Sequence, residues 1–492
     1  MKKKNRITAS VLLAGQLLSI ASCGGEIAVE TQAVDTGIVT ETEAVTEEAY
    51  SMPEVNMNGW ELSILNYDET GLTWANTRIC VEQADGDILN DALYNRNLLL
   101  RETFNCDISV KEVNDVANHV ENLVLAGDNT YDIFVRSESN SVASYLPFVI
   151  DWNEIPHLQL DQPWWNPDAT SVYNIGGIQA ALAGNMSLSA VSRAVCMVFN
   201  KNVWTQYGDP DMNLYQLVED NTWTVDRFLE ITKSVSQDLN GDGKMDSQDL
   251  YGLNMGRGFK GYIASVLTGA GLNFTQLDTD GNLQFTLHTN EKSLSLVTKL
   301  MDALSDDGFY YNEDTSVHGF APSDFFKNGH ALFTQGVPHD IYKLRDMKDD
   351  IGILPMPKLN ESQVKYYAAA WGGAVWTLSK TFDMEYADNL GILLDAMSYV
   401  TYRDVIPVYK EIALKAKTTR DDDSAAMLDI IFDSIYFDFG TNIMYDPLLA
   451  NTFLVDLWRK KSSDAVVSTA EKYMPKIEKF IEDLYEAAGE VS

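Results

Sequence analysis

Apolar residues change their spacing along this chain, and each spacing predicts a different element. Residues 7–20 form an apolar run behind Lys2, Lys3, Lys4 and Arg6, too short to span a bilayer, and residues 1–22 read as a signal peptide. Residues 24–57 are mostly Glu, Thr, Val and Ala with little that could bury, which predicts a disordered, self-repelling tether. Alternation then sets in at Trp60-Glu61-Leu62-Ser63-Ile64-Leu65-Asn66, a strand, and 88–104 carries a helical pattern. A strand over 107–113, a helix over 116–126 and a strand over 131–135 follow, so strands alternate with helices in the α/β manner. Past Trp204 the chain is more helical. Thr224 is a plausible cap for a helix that places Val225, Phe228, Leu229, Thr232 and Val235 on one face. Strands return at 283–287, 331–333, 351–354 and 374–378, and helices dominate to the end, one of them amphipathic around Ile477, Phe480, Ile481 and Leu484.

Composition narrows the class. The formal charge is −36, and cleavage before Cys23 would remove three Lys and one Arg with no acid, leaving −40. Nucleic acid is therefore not an expected partner. Hydrophobic residues make up 45% of the chain, enough for substantial cores in two or more domains. The leader ends in Ile20-Ala21-Ser22-Cys23, which resembles the bacterial lipobox; this implies a diacylated Cys23, a lipidated tether over 23–57 and attachment by lipid alone to the outer face of a bacterial membrane. No later apolar run approaches spanning length. Cys80, Cys106 and Cys196 remain as an odd set, so no disulfide framework is expected, and Cys196 reads as a buried apolar side chain.

One stretch has the spacing of a calcium loop. Asp238, Asn240, Asp242, Asp246 and Asp249 fall at loop positions 1, 3, 5, 9 and 12, Gly243 at the turn, and Lys244 at position 7, where only the backbone carbonyl is needed. Met245 would pin the loop to a core. Four carboxylates this close repel one another without a cation, so a structural calcium ion is expected. The bland alternative is a solvated acidic turn. Asp278-Thr279-Asp280-Gly281-Asn282 lacks the last ligand and reads as a hairpin turn.

The lipobox, the acidic tether, the α/β region and a strand ending in Phe199-Asn200-Lys201 together resemble the extracellular solute-binding lipoproteins of bacterial ABC importers, in the large family of carbohydrate binders that includes maltose-binding protein. Gln162-Pro163-Trp164-Trp165-Asn166, Asp350-Ile351-Gly352-Ile353-Leu354-Pro355-Met356-Pro357-Lys358 and Met427-Leu428-Asp429-Ile430-Ile431-Phe432-Asp433 carry the same resemblance. It implies a two-lobed, periplasmic-binding-protein-like (type II) α/β fold with a ligand cleft between lobes and a helix-rich C-terminal region. The first lobe would be 58–188 with 353–403, the second 189–352 with 404–492. The implied function is capture of a solute, an oligosaccharide by family prevalence, by a monomer that delivers it to permease subunits.

Ligands of such folds sit beyond the carboxyl ends of strands. Loops after strands therefore nominate Asp68, Trp74, Arg136, Ser137, Asn185, His339 and Trp371, with Glu138, Ser187, Arg193, Gln335 and Gly336 beside them. Trp74 and Trp371 are candidate platforms for sugar rings, while Arg136, Asn185 and His339 offer donors to hydroxyl or carboxylate oxygens. Trp164 and Trp165 read as packing residues. The competing class is a lipid-anchored glycoside hydrolase, which needs a carboxylate pair across a cleft; 72 acidic residues do not exclude one by counting, but no Gly-x-Ser-x-Gly, His-Glu-x-x-His or phosphate loop occurs. A cell-surface assembly protein would need two calcium loops in tandem, and only one is complete.

Overall fold

Strand β1 (Trp60–Tyr67) begins half-buried and ends with Ile64, Leu65, Asn66 and Tyr67 all buried, as expected of a strand covered on both faces. The helix Ile88–Phe104 starts where the Asp87 carboxylate accepts from the Leu89 and Asn90 N–H groups, both at 3.0 Å. It stops at Asn105, which turns left-handed at φ 49° and sends the chain into β2 (Cys106–Val113). After the helix Val116–Leu125 come β3 (Ile133–Ser137) and the short β4 (Val149–Ile150). This computed structural model describes residues 50–68, 77–137, 141–255, 259–279, 282–311, 322–341, 344, 346–370, 373–415, 422–444, 448–449 and 452–489. The expected leader, Cys23 and most of the tether lie outside the described residues.

The other strands of the two main sheets are β5 (Cys196–Asn200), β6 (Tyr251–Asn254), β7 (Tyr310–Tyr311), β8 (Ala331–Gly336), β9 (Ile351–Leu354) and β10 (Ala374–Ser379). They build two five-stranded sheets, ordered β2-β1-β3-β10-β4 and β7-β6-β8-β5-β9. In each sheet one strand runs against its neighbours: β10 is antiparallel to β3 and β4, and β5 is antiparallel to β8 and β9. That strand belongs, in sequence, beside the other sheet, so the chain crosses between sheets once through 182–195 and again through 355–373. The crossovers touch where Ala194 bridges Ala370 and the Val195 N–H donates to the Ala369 carbonyl at 2.7 Å. A short strand, Ile435–Tyr436, pairs with Ala368–Ala369 beside them.

The second sheet is buried on both faces. Met197 and Phe199 enter a core with Trp223, Phe228 and Phe333, whereas Cys196 and Val198 pack with Leu93, Ile351 and Ile353 on the other side. Two of the expected boundaries shift. Residue 353 lies inside β9, which is wholly part of the second sheet, so the return crossover begins after Leu354. The helix Ala465–Gly489 does not stay with the second lobe: Val466, Ala470 and Ile477 join the Trp223 core, but Leu484 and Ala488 pack with Val142, Tyr145 and Val149 beside the first sheet. Twenty-five residues of helix are long enough to serve both cores, which sequence order could not show.

Cys80, Cys106 and Cys196 are free thiols, and burial pushes that of Cys106 up to about 11. Asp278 and Asn282 close the turn between the antiparallel strands Thr275–Leu277 and Leu283–Phe285, as a hairpin requires. Among the described residues no helix is long and apolar enough to cross a membrane.

Candidate functional site

Parallel strands place their carboxyl ends on one edge. In the first sheet that edge holds Asp68 after β1 and Arg136 and Ser137 at the end of β3, with Ala374 of β10 in register with Ser137. Asp68 is half-buried and its N–H donates to the Val113 carbonyl at 2.9 Å, so the backbone there is held by the neighbouring strand. Arg136 and Ser137 are buried. The Arg136 guanidinium lies over the Tyr145 ring at 4.9 Å, and Tyr67, three residues past Ile64 as Arg136 is three past Ile133, comes alongside it. Burial lowers the guanidinium to about 10 and raises the Tyr67 hydroxyl, which leaves Arg136 charged and Tyr67 neutral near pH 7.

The segment 185–193 joins this edge to the second sheet. The Ala374 N–H donates to Ser189 Oγ at 2.7 Å, which ties the short helix Ser189–Ser192 to the first sheet. Four residues on, Arg193 pairs with Asp340 at 3.8 Å, both buried, which ties the same segment to the helix Pro338–Ile341 after β8. His339 lies on that helix, half-buried, and Gln335 is buried at the end of β8. Asn185 and Ser187 are buried just before the helix Ser189–Ser192. Their position depends on Gly184, whose missing Cβ would sit 2.9 Å from the Trp165 carbonyl oxygen, so only glycine lets the chain pass. The structure thus puts Arg136 and Ser137 at the sheet edge to which Ser189 is tied, and the Arg193–Asp340 pair four residues farther along the same crossover, with His339 on the helix of Asp340. Trp74, Glu138 and Trp371 lie outside the described residues.

Trp164 and Trp165 are structural. Both indole N–H groups donate to one oxygen of Asp395, at 3.3 and 2.6 Å, and Gln159 donates to the same carboxylate through its backbone and side chain. Sequence reasoning missed Tyr67, Tyr145 and Asp340. Tyr145 is nine positions from Arg136 in a short apolar helix, Val142–Tyr145, and nothing in that spacing marks it as the cation's neighbour.

The acidic loop folds back on its own backbone. Asp238 accepts from the Gly241 and Gly243 N–H groups at 2.6 and 2.8 Å, and Asn240 and Asp242 from those of Asp242 and Lys244, both at 2.8 Å. Asp246 accepts from Gln248 at 2.8 Å; Asp249 accepts from Leu239 and Asp246 at 2.9 and 2.7 Å. The bond from the Asp246 N–H holds the Asp249 carboxyl below the usual carboxylate range. Met245 does pack on the core beneath. Among the described residues no group of three or more His, Cys, Asp or Glu side chains is gathered so as to hold a metal ion, and the calcium expectation therefore rests on spacing and on the oxygen donors themselves.

No family model and no curated protein matches the sequence. Solved structures do. A cyclic α-maltosyl-1,6-maltose binding protein of Arthrobacter globiformis superimposes with a TM-score of 0.55 at 15% identity, covering 88% of this chain and 99% of that one. A maltose-bound protein of T. maritima matches with a TM-score of 0.50 at 13% identity, over 85% of this chain and all (100%) of the other. An ABC substrate-binding protein of Listeria monocytogenes in complex with cycloalternan gives a TM-score of 0.50 at 11% identity, with 86% and 100% covered. The chain has a solute-binding-protein fold. In that solute-binding-protein fold the segments 182–195 and 355–373 join the two sheets, and the described candidate residues lie along the first of them and at the sheet edges it joins.

Proposed function

We propose that this chain captures an extracellular oligosaccharide and delivers it to the permease of an ABC importer. The observation that carries the reading is the match over 99–100% of several sugar-binding proteins, with no large part of their architecture missing. Arg136 at the edge of the first sheet, and Asn185, Ser187 and Arg193 on the crossover tied to that edge, support it, because neutral and charged donors suit a hydroxyl-rich solute. Those neighbours are binding proteins, and the chain reads as a binder instead of an enzyme. A thermal-shift screen against defined oligosaccharides tests this: a bound sugar raises the melting temperature. Hydrolysis of any of those glycans by the purified protein would replace the binder by the hydrolase.

The address and the metal belong to the same proposal. A diacylglyceryl Cys23 on an extended tether would keep a monomeric binder near its permease and raise its effective concentration there. Cys23→Ser should release the protein from the membrane fraction; retention would remove the anchor. Calcium would be held by Asp238, Asn240, Asp242, Asp246, Asp249 and the Lys244 carbonyl, and would supply charge compensation to the loop and nothing to the solute. A chelator should lower the melting temperature and calcium restore it, whereas indifference to both leaves an acidic turn.

A further inference from the structure

Among the described residues Arg136 has no counter-ion. It is 4% exposed, its Nε has no hydrogen-bond partner, and it forms no ion pair among the described residues. Two aromatic side chains adjoin it, Tyr145 beneath the guanidinium at 4.9 Å and Tyr67 alongside. A ring face offsets part of the lost hydration of a cation but leaves its in-plane donors unused. Arg193, the other buried arginine of the site, differs in this respect, since Asp340 lies 3.8 Å away. A guanidinium at the carboxyl end of a strand, with its in-plane Nε donor unmet, is matched by a planar pair of acceptor oxygens that arrives with the solute.

We propose that Arg136 receives a carboxylate of the solute, so that the cargo is an acidic, uronate-bearing oligosaccharide. The inference rests on the oligosaccharide-binding reading and narrows its substrate class. The chain's net charge of −36 repels anions at long range, so any preference for an acidic sugar must come from a local cation, and Arg136 is placed to provide it. A neutral sugar would leave the guanidinium without an anion; a uronate would complete it.

The test compares uronate oligosaccharides of defined length with the same molecules after reduction of their carboxyl groups to alcohols, by calorimetry on the intact protein. The uronate form should bind about tenfold or more tightly than its neutral counterpart. Arg136→Gln should erase that preference, and Arg136→Lys should keep part of it, because the charge survives but the paired donors do not. Equal or tighter binding of the neutral forms by the wild-type protein overturns the inference while leaving oligosaccharide capture standing. A preference unchanged in Arg136→Gln overturns the role of Arg136. Absence of binding to either set, and to the wider glycan panel, overturns capture and the acidic cargo together.

Discussion

Arg96 and Arg136 are both buried, neither has a carboxylate partner among the described residues, and burial lowers both to about 10, yet they are held in opposite ways. Arg96, in the helix Ile88–Phe104, spends its donors on neutral acceptors: the Ile79 carbonyl, the Met186 carbonyl at 3.2 Å, Thr401 Oγ1 at 3.0 Å and Asn97 Oδ1 at 2.9 Å. Arg136 sits over a tyrosine ring with its Nε unmet. Burial of a charge is thus not by itself a functional mark. A saturated guanidinium fastens parts of a fold, whereas an unsaturated one is held ready for something else.

The contrast can be broken by stability measurements without any ligand. Arg96→Met should cost the most, on the order of 3–5 kcal/mol in urea unfolding, because the Met186 carbonyl and Thr401 Oγ1 lose the guanidinium donor and the Ile79 carbonyl keeps only the Asn97 amide. A loss below ~1 kcal/mol would mean that the network is dispensable. Asp340→Asn comes next, at about 2–3 kcal/mol, since it removes a buried carboxylate charge 3.8 Å from the Arg193 guanidinium. If stability is unmoved, the 3.8 Å pair contributes nothing and Arg193 resembles Arg136 more than it resembles Arg96.

A buried acid sharpens the comparison from the other sign of charge. Asp438 accepts from the Thr441 N–H at 2.9 Å, but burial lifts its carboxyl to about 6. Its folded value lies above the unfolded one, so its stabilising contribution is full below about pH 4 and is lost as pH rises through about 6. Asp438→Asn should therefore leave stability at pH 4 unchanged and raise it at pH 7.5 by about 1–2 kcal/mol; a benefit confined to low pH would reverse the argument. The smallest effect is expected at Arg136. Arg136→Met should be neutral or stabilising by about 1 kcal/mol, since it removes a buried charge that no described carboxylate compensates. A loss as large as that of Arg96→Met would show that Arg136 is structural.

Much of the fold was legible in local pattern. The helical pattern near 88–104 and the strand pattern at 351–354 match the elements that form, and Thr224 does cap the helix Val225–Val235 through the Arg227 N–H. The strands that end at the site were read short. The third strand was expected over 131–135 and lies at Ile133–Ser137; that at 331–333 continues to Gly336. In both, polar side chains extend the strand: Arg136 and Ser137 in one, Thr334 and Gln335 in the other, all of them buried. A period-two pattern ends where charge begins, so it stops short of functional strand ends. The tryptophans divided differently, with Trp164 and Trp165 correctly read as packing and Trp74 and Trp371 outside the described residues.

Local chemistry along the chain settled what kind of element each segment makes, because caps, periods and turns act over a few residues. It also spelled out the acidic loop and the sequence around Cys23 on which the calcium and lipid proposals stand. Which charges are satisfied was decided only in three dimensions. Arg96 finds an acceptor 305 residues away in Thr401, and Arg193 finds Asp340 from the other side of β8, whereas Arg136 meets two tyrosines. Desolvation and its compensation depend on neighbours brought from distant parts of the chain, and no linear spacing contains them.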